Sequence, residues 1–490
     1  MRILLFTLLA PFLFVCTLQA ESTSITEHPE VLSNIKLLET WIESQMAYKG
    51  WPGMSIGIVY DQTLIWAKGF GYADLEKKTP ATPDTIYRIA SNSKMFTSIA
   101  ILKLRDEGEL QLDDSIAKHL PWFKIKNKYP DAPFITIRHL LTHTSGLPGE
   151  APFPYWTDFK FPTREQIIQK LSEQESIYPP ETKWKYSNLA LTLAGEIVSA
   201  VSGESYAEYI HKQILEPLGM STTTVILPDE HKSRLATGYG RRMPDGSRKI
   251  MPFTDCNGLT PAGNMSSTVK DLARFVSWQF RLRESGSSEI LKASTLKEMQ
   301  RVHWLHPDWK TGWGLGFMIV HKEARDLVGH GGHVGGYQTD ISISPKEKVG
   351  VITLVNADDA NPYLDVPGSV VDKAFEWVAP AITKAVTPPK YEKADLKWDK
   401  YVGKYRNIWA DYAILVMNSK LVLVNPMESD PIASMLTLTP AAEHTFRIDG
   451  EGFGELGELV VFEFGTDGEV MRMKLGENYL YPQDKTAGPK

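Results

Sequence analysis

One short segment constrains this chain more than any other, because it places a nucleophile and a base within one helical turn. Residues 87–96 end an extended run and open a helix whose following turns are largely apolar. Ser91 is expected at or near the helix N-terminus and Lys94 about one turn later, and residues three apart share a helix face. A buried lysine amine loses its proton easily and can take or relay the serine proton. Free N–H groups at the helix start would stabilise a nearby oxyanion.

The Ser-x-x-Lys pattern is weak by itself, since the sequence contains it five times. Any one copy can be a solvated surface pair, because long charged side chains usually lie on protein surfaces. Ser91 differs from the others because it follows a strand-like run (residues 85–89) and precedes an apolar, hence buried, helix. The other four copies lie in charged or loop-like segments, at Ser33/Lys36, Ser115/Lys118, Ser267/Lys270 and Ser294/Lys297.

A second motif, Tyr186-Ser187-Asn188, precedes another helical run. A tyrosine phenol has a pKa of about 10, and beside a lysine it can lose its proton more easily and act as a general base. Asn188 offers both an acceptor and donors to an amide or acyl group. The alternative is a tyrosine packed at a helix start, with Asn188 as the N-cap. Tyr-x-Asn occurs once more, at Tyr405 and Asn407.

A third motif is the glycine-rich run at residues 329–336, which contains His330, Gly332 and His333. It stands where a sheet strand is expected to begin, and its glycines would let a ligand backbone approach closely. A histidine there can hydrogen-bond a substrate carbonyl or carboxylate. The alternatives are a turn with bystander histidines, or a metal site at the two histidines. No carboxylate or cysteine cluster flanks them, so neither a metal nor another cofactor is predicted.

Composition describes an ordinary globular protein of 490 residues, with 42% hydrophobic and 23% charged residues. The net charge is −6 and no basic stripe stands out, so nucleic-acid binding has no electrostatic support. Residues 1–20 resemble a secretory signal peptide, with a membrane anchor or a lipoprotein signal at Cys16 as alternatives. The expected location is therefore periplasmic or extracellular, with no stable membrane span after cleavage. Cys256 would remain as the single cysteine of the mature chain.

The order of apolar patterns predicts an α/β (α+β) fold. A helix, a hairpin and the Ser91 helix come first, a mainly helical region follows, and strands return after residue 313. Residues 21–386 are expected to form one domain, in which strands from both ends of the segment build one antiparallel sheet flanked by helices. A helical subdomain would lie against this sheet, and a ligand cleft would lie between the sheet and the subdomain. Residues 387–395 form a candidate linker. Residues 396–490 contain seven short strand-like runs and predict a small antiparallel β-barrel.

Taken together, the motifs resemble the serine β-lactamase and penicillin-recognising superfamily. The branch in question comprises class C β-lactamases, DD-peptidases, D-aminopeptidases and esterases. The order Ser91-x-x-Lys94, Tyr186-x-Asn188, His330-x-Gly332 matches that branch. Residues 141–147 and 217–220 also look like recurring stretches of the family, and the resemblance covers about residues 30–385.

The resemblance implies a role for each motif residue. Ser91 would be the acylated nucleophile, Lys94 and Tyr186 the proton-transfer pair, and Asn188, His330 and Gly332 the substrate-binding residues. The backbone N–H groups of Ser91 and His333 would form the oxyanion hole. Which of Lys94 and Tyr186 is the base stays open. The third motif is His-Gly-Gly rather than the Lys-Thr-Gly of true β-lactamases, and His333-Val334-Gly335 fits the same pattern three residues later.

The predicted function is an exported serine hydrolase that cleaves an amide or ester through an acyl-enzyme. A small-molecule or peptide substrate is expected, with a D-amino-acid peptide or small ester favoured over a β-lactam, because a mostly neutral histidine replaces a permanent cation. Alternatives are a true β-lactamase and a catalytically silent receptor that kept the fold. A third alternative, an α/β-hydrolase, is supported by one motif, since residues 53–57 fit Gly-x-Ser-x-Gly around Ser55. The sequence does not indicate the oligomeric state.

Overall fold

A computed structural model of the chain describes residues 25–322, 325–363, 365–386, 396–417, 420–427, 435–449 and 456–483. The predicted signal peptide at 1–20 and the linker at 387–395 lie outside these residues. The chain divides into two compact units after Val386. Within the described ranges, no helix combines the length and the apolar character that crossing a membrane requires.

The first unit is built on a nine-stranded antiparallel sheet with strand order β3-β2-β1-β9-β8-β7-β6-β5-β4. Two adjacent interior strands, β1 and β9, come from opposite ends of the unit, with Met54 of β1 opposite Val355 of β9. The predicted α+β class and the single sheet are confirmed. In chain order the strands are β1 (Gly53–Tyr60), β2 (Thr63–Asp74), β3 (Thr79–Pro80), β4 (Trp304–Leu305), β5 (Thr311–Trp313), β6 (Met318–Lys322), β7 (Arg325–Val334), β8 (Tyr337–Ser344) and β9 (Val349–Val355).

Helices cover both faces of this sheet, so its central strands are apolar on both sides. One face packs on the first and last long helices, where Leu38, Ile56 and Phe375 share a buried core. The other face packs on the helical region, which has a separate core. The five long helices are α1 (Pro29–Lys49), α2 (Ser93–Glu107), α3 (Asn188–Ser202), α4 (Val269–Ser285) and α5 (Val370–Val386).

Shorter helices and turns complete the helical region between α2 and β4. Three of them begin with a capping box, in which a Thr or Ser side chain accepts from the third helical N–H. The short helices are Ile116–His119, Ile137–Leu141, Tyr155–Asp158, Arg164–Leu171, Tyr206–Ile210, Asp229–Lys232, Thr260–Gly263 and Ala293–Met299.

Helix α2 is the centre of the unit. Phe96, Ile99 and Ile101 point in different directions around it, and all three are completely buried. Phe96 stacks on Phe275 of α4 with ring centres 4.4 Å apart. Burial on all sides explains why the sequence after Ser91 is apolar without a polar face.

The second unit is a closed antiparallel barrel of eight strands, not the seven that the sequence predicts. The missed strand is the last one, which pairs with the first through Arg406 and Tyr481 and so closes the barrel. Phe446 and Phe462 are buried in its own core. The strands are β10 (Gly403–Arg406), β11 (Asp411–Met417), β12 (Lys420–Val424), β13 (Leu436–Ala442), β14 (Thr445–Asp449), β15 (Leu459–Phe464), β16 (Val470–Leu475) and β17 (Asn478–Pro482).

The α/β-hydrolase alternative is wrong, because Ser55 lies inside β1 rather than at a turn from a strand to a helix. Its hydroxyl donates to the carbonyl of Thr82 at 2.8 Å and lies 3.0 Å from the hydroxyl of Tyr87. Ser55 therefore ties β1 to the segment that leads to Ser91.

Candidate active site

Ser91 lies in a single 3₁₀ turn, Ala90–Asn92, that leads directly into α2. The strand before it is shorter than predicted: Tyr87–Arg88 pairs with Ser266–Ser267, and Ile86 forms a single bridge with Leu235. Ala90 has a φ of +49°, in the left-handed region that residues with a Cβ rarely adopt. This turn leaves Ser91 partly exposed just before a helix whose first ten residues are buried.

Lys94 is completely buried and faces Ser91 as the sequence predicts. Its Nζ lies 2.9 Å from Oγ of Ser91 and 2.6 Å from the carbonyl oxygen of Ala262, to which it donates. Burial lowers the pKa of Lys94 to about 7, although the Glu150 carboxylate opposes this shift. Near neutral pH a large fraction of Lys94 is therefore an uncharged amine, which can accept the proton of Ser91.

Tyr186 lies beside the same pair, and the Ser91 hydroxyl lowers the pKa of its phenol against the larger effect of burial. Nζ of Lys94 lies 5.0 Å from the centre of the Tyr186 ring. Burial raises the pKa of Tyr186, so its phenol keeps its proton at neutral pH. This differs from the expectation of an easily ionised phenol, because desolvation is the largest influence on the phenol.

Asn188 is the first residue of α3, but it is not the cap. The hydroxyl of Ser187 accepts from the N–H of Ala190 at 2.9 Å and fills that role, so the interpretation of Asn188 as an N-cap is wrong. The side-chain amide of Asn188 instead donates to Oε1 of Glu150 at 2.7 Å. The second oxygen of Glu150 accepts from the hydroxyl of Tyr155.

Glu150 is absent from the residues that the sequence singles out. It comes soon after the family-like stretch at 141–147, and that proximity is the one signal that could have found it. The contact with Asn188 joins residues 38 positions apart, and no local pattern indicates such a pairing.

His330 lies inside β7, which begins at Arg325, and not at the start of a strand as predicted. Its Nδ1 lies 2.5 Å from the carbonyl oxygen of Gly331. A carbonyl can only accept, so Nδ1 carries the proton and Nε2 is an acceptor. Burial lowers the pKa of His330 to about 3, which keeps the ring neutral. Nε2 is buried and has no hydrogen-bond partner among the described residues.

This tautomer corrects the expectation that His330 donates to a substrate carbonyl or carboxylate. A neutral ring that presents Nε2 as an acceptor suits a donor group instead, such as an amine. The structure also separates the two histidines of the motif. The His330 ring lies 6.2 Å from that of Tyr186, whereas His333 is half exposed and its Nε2 lies 3.2 Å from Oδ1 of Asp358.

Residue 332 must be glycine because β7 passes very close to the Ser91 turn at this point. A Cβ at this position would lie 2.2 Å from the carbonyl oxygen of Ile89 and 2.5 Å from Oγ1 of Thr339. No side chain fits there without moving backbone. Gly332 therefore sets the distance between the strand and the nucleophile.

These residues surround a cavity of about 350 Å³. A larger groove of about 620 Å³ lies elsewhere and contains none of the motif residues, so we place the chemistry in the smaller cavity. In the described parts of the chain, no group of three His, Cys, Asp or Glu side chains is arranged to hold a metal ion. The cavity is lined by Ser91, Trp184, Tyr186, Asn188, Trp313, Met318, His330, Gly331, Gly332, His333, Asp340, Tyr363 and Asp365.

Comparison with known proteins bears out the resemblance that the motifs suggest. Residues 38–373 match the family model described as Beta-lactamase. The chain belongs to the beta-lactamase family. Among its relatives, "Beta-lactamase-like protein 2" of Dictyostelium discoideum is 28% identical over 84% of this chain and 80% of its own. "Protein flp" of Staphylococcus aureus (strain MW2) is 31% identical over 65% of this chain and 62% of its own length.

Solved structures of the beta-lactamase fold resemble this chain as well. The octameric penicillin-binding protein homologue from Pyrococcus abyssi is 28% identical with a TM-score of 0.62, and the match covers 91% of this chain and 99% of that one. The D-amino acid amidase from Ochrobactrum anthropi SV3 is 26% identical with a TM-score of 0.58, over 72% of this chain and 98% of that one.

Proposed function

We propose that this beta-lactamase family member is an exported serine hydrolase that cleaves small amides or peptides with a free amino group, preferably of D-amino acids. The observation that carries the proposal is the hydroxyl of Ser91, which lies 2.9 Å from Nζ of Lys94, a buried lysine whose pKa burial lowers to about 7. The Tyr186 ring lies beside the same amine, with its centre 5.0 Å from Nζ. Export is proposed from the signal-like composition of residues 1–20.

Lys94 is the base in the proposed reaction. Its neutral amine takes the proton of Ser91 while Oγ bonds to the substrate carbonyl carbon, which gives a tetrahedral oxyanion. The backbone N–H groups of Ser91 and His333 stabilise that oxyanion. The carbon–nitrogen bond then breaks, and the leaving amine receives a proton through the phenol of Tyr186, which is replenished from Lys94. Water attacks the acyl-enzyme by the same route in reverse and releases the acid.

The charges around the cavity support a substrate that carries an amine. Asp340 and Asp365 line the cavity, Glu150 holds Asn188, and among the described lining residues there is no arginine or lysine. A β-lactam carboxylate would meet negative charge here, whereas an ammonium group would meet acceptors. His330 adds an acceptor of its own at Nε2.

A second, smaller cavity supports a small apolar side chain next to the reacting carbonyl. It measures about 40 Å³, reaches Ser91, and is enclosed largely by Trp156, Phe161 and Leu259. A methyl group suits a space of this size. The D configuration is proposed by analogy with the similar structures named as a D-amino acid amidase and as a beta-lactamase/D-alanine carboxypeptidase from Yersinia pestis, the latter 25% identical over 73% of this chain and 99% of that one, with a TM-score of 0.58.

The test is a substrate panel with the purified chain. D-alanine p-nitroanilide should be cleaved with a higher kcat/KM than its N-acetyl derivative, L-alanine p-nitroanilide and nitrocefin. A fluorescent phosphonate should add its mass to Ser91, and Ser91→Ala should lose both labelling and turnover. Faster turnover of nitrocefin than of every amide would overturn the substrate assignment. Absence of both labelling and turnover would favour a binding protein.

A further inference from the structure

His143 is completely buried against the residues of the proposed proton relay. Its ring centre lies 4.4 Å from that of Tyr186, with the two planes inclined by 33°. Trp313 contacts it edge-on, with ring centres 4.9 Å apart. His143 belongs to the family-like stretch at 141–147, but the sequence assigns it no role.

The backbone and side chain of His143 together hold the residues on both sides of Tyr186. Its carbonyl oxygen accepts from the N–H of Lys185 at 2.8 Å, and its Nδ1 accepts from the N–H of Ser187 at 3.1 Å. With the ring contact, one residue thus engages three consecutive positions. Tyr186 cannot shift along or away from the cavity without breaking one of these contacts.

The conformation and the burial of His143 both destabilise the folded state. His143 has a φ of +57°, in the left-handed region where a side chain is strained. Since Nδ1 accepts, the proton of the neutral ring is on Nε2, which is buried and has no partner within the described residues. Strained backbone and unpaired polar atoms persist where the surrounding structure imposes them, and they cluster at functional sites.

We propose that His143 is a positioning residue that fixes the phenol of Tyr186 against Ser91, through the Ser187 hydrogen bond and the stacked ring. The proposal depends on the proposed function, because Tyr186 must act in the reaction for its position to affect the rate. His143 itself touches no substrate, since it does not line the cavity.

Two substitutions separate the contributions of the ring and the acceptor. His143→Phe keeps a ring but removes the acceptor for Ser187, whereas His143→Asn keeps an acceptor and tolerates a left-handed φ. Because small misplacements of a reacting group can cost about 100-fold, we expect His143→Phe to lower kcat by roughly 10- to 100-fold with KM nearly unchanged. His143→Asn should recover a substantial part of that loss.

The matched control is His139, another buried histidine of the same segment. It accepts from the N–H of Thr136 at 3.1 Å and pairs with Glu181, and it does not contact Tyr186. His139→Phe should lower the Tm but leave kcat within about three-fold of the wild type, since it changes the fold away from the relay. An equal loss of kcat in both Phe variants would overturn the positioning role and indicate general destabilisation.

The deciding measurement is a double-mutant cycle. If His143 acts through Tyr186, His143→Phe should cost little further rate when Tyr186→Phe is already present. Independent, multiplicative losses would overturn the proposal.

Crystal structures of the wild type and His143→Phe give a readout that needs no turnover. A displaced Tyr186 phenol supports the proposal, and an unmoved phenol refutes it. A wild type without turnover and without Ser91 labelling would refute the proposed function separately.

Discussion

The side-chain amide of Asn188 donates a 2.7 Å hydrogen bond to Oε1 of Glu150, so a carboxylate lies directly beside an amide of the cavity. The contact fixes one N–H of Asn188 and brings negative charge toward the nucleophile. It also identifies a charge behind the cavity lining whose removal would test the preference for amines.

Glu150→Gln should weaken the binding of a substrate ammonium group while keeping a hydrogen-bond acceptor for Asn188. We expect KM for D-alanine p-nitroanilide to rise roughly three-fold, since Glu150 lies behind the cavity lining and attracts the ammonium group only at a distance. The KM for p-nitrophenyl acetate, which has no amine, should stay within about two-fold. Initial-rate kinetics on both substrates measure this. A parallel rise in both KM values would show a structural effect instead.

The pH dependence of acylation should follow the pKa of Lys94. The amine is a base only when uncharged, and burial lowers its pKa to about 7. For p-nitrophenyl acetate, which does not titrate, kcat/KM should therefore rise ten-fold per pH unit below about 7 and level off above it. Stopped-flow acylation rates across this range provide the measurement. A flat profile would mean that Lys94 does not accept the proton.

Lys94→Met should abolish the proposed turnover but stabilise the fold. Because the folded-state pKa lies below the usual value of 10.5, the unfolded chain binds more protons between about pH 7 and 10.5, and wild-type stability rises with pH across that window. The cost of burying the lysine is complete below about pH 7. The variant should therefore be more stable by a few kcal/mol at pH 6, with the difference shrinking toward pH 10. Denaturant unfolding of both proteins at several pH values decides this, and a constant difference would contradict it.

Gly332→Ala should destabilise the first unit more than Gly331→Ala does. The added methyl at 332 would lie 2.2 Å from a backbone oxygen, whereas at 331 it would meet the ring of Tyr363 at 2.5 Å, and a side chain can rotate away. We expect the free energy of unfolding to fall by roughly 2 to 3 kcal/mol for Gly332→Ala and by about half of that for Gly331→Ala, within the usual range for overpacking. Thermal unfolding compares them. Equal Tm values would show that β7 can move back from the Ser91 turn.

Local pattern is enough to predict much of this fold. The helix that follows the Tyr186 motif, Asn188–Ser202, and seven of the eight barrel strands occur where the sequence predicts a helix and short strands, because their apolar period and their flanking residues agree. Asn478–Pro482 was missed since its run is short, partly polar and ends in proline, and it becomes a strand through pairing at the barrel seam. The start of β7 is not predicted because its first two residues, Arg325 and Asp326, are charged and the run that follows is rich in glycine, which is typical of a turn.

The residues of the site likewise differ in whether neighbouring sequence or distant packing brings them together. Ser91 and Lys94 could be paired from sequence because one helical turn fixes their distance. The carbonyl of Ala262 and the carboxylate of Glu150 come from segments far along the chain, and their contacts depend on packing that no periodicity encodes. The tautomer of His330 likewise follows from one carbonyl contact that only the folded strand supplies.

The left-handed backbone at Ala90 affects which substitutions can raise the thermal stability of this protein. Ala90→Gly would relieve the φ of +49° and should make the folded chain more tolerant of heat. The same glycine would also widen the set of orientations open to the neighbouring Ser91. Stability and turnover are thus opposed at a single position, and variants selected for thermostability alone should acquire glycine at residue 90 and lose rate.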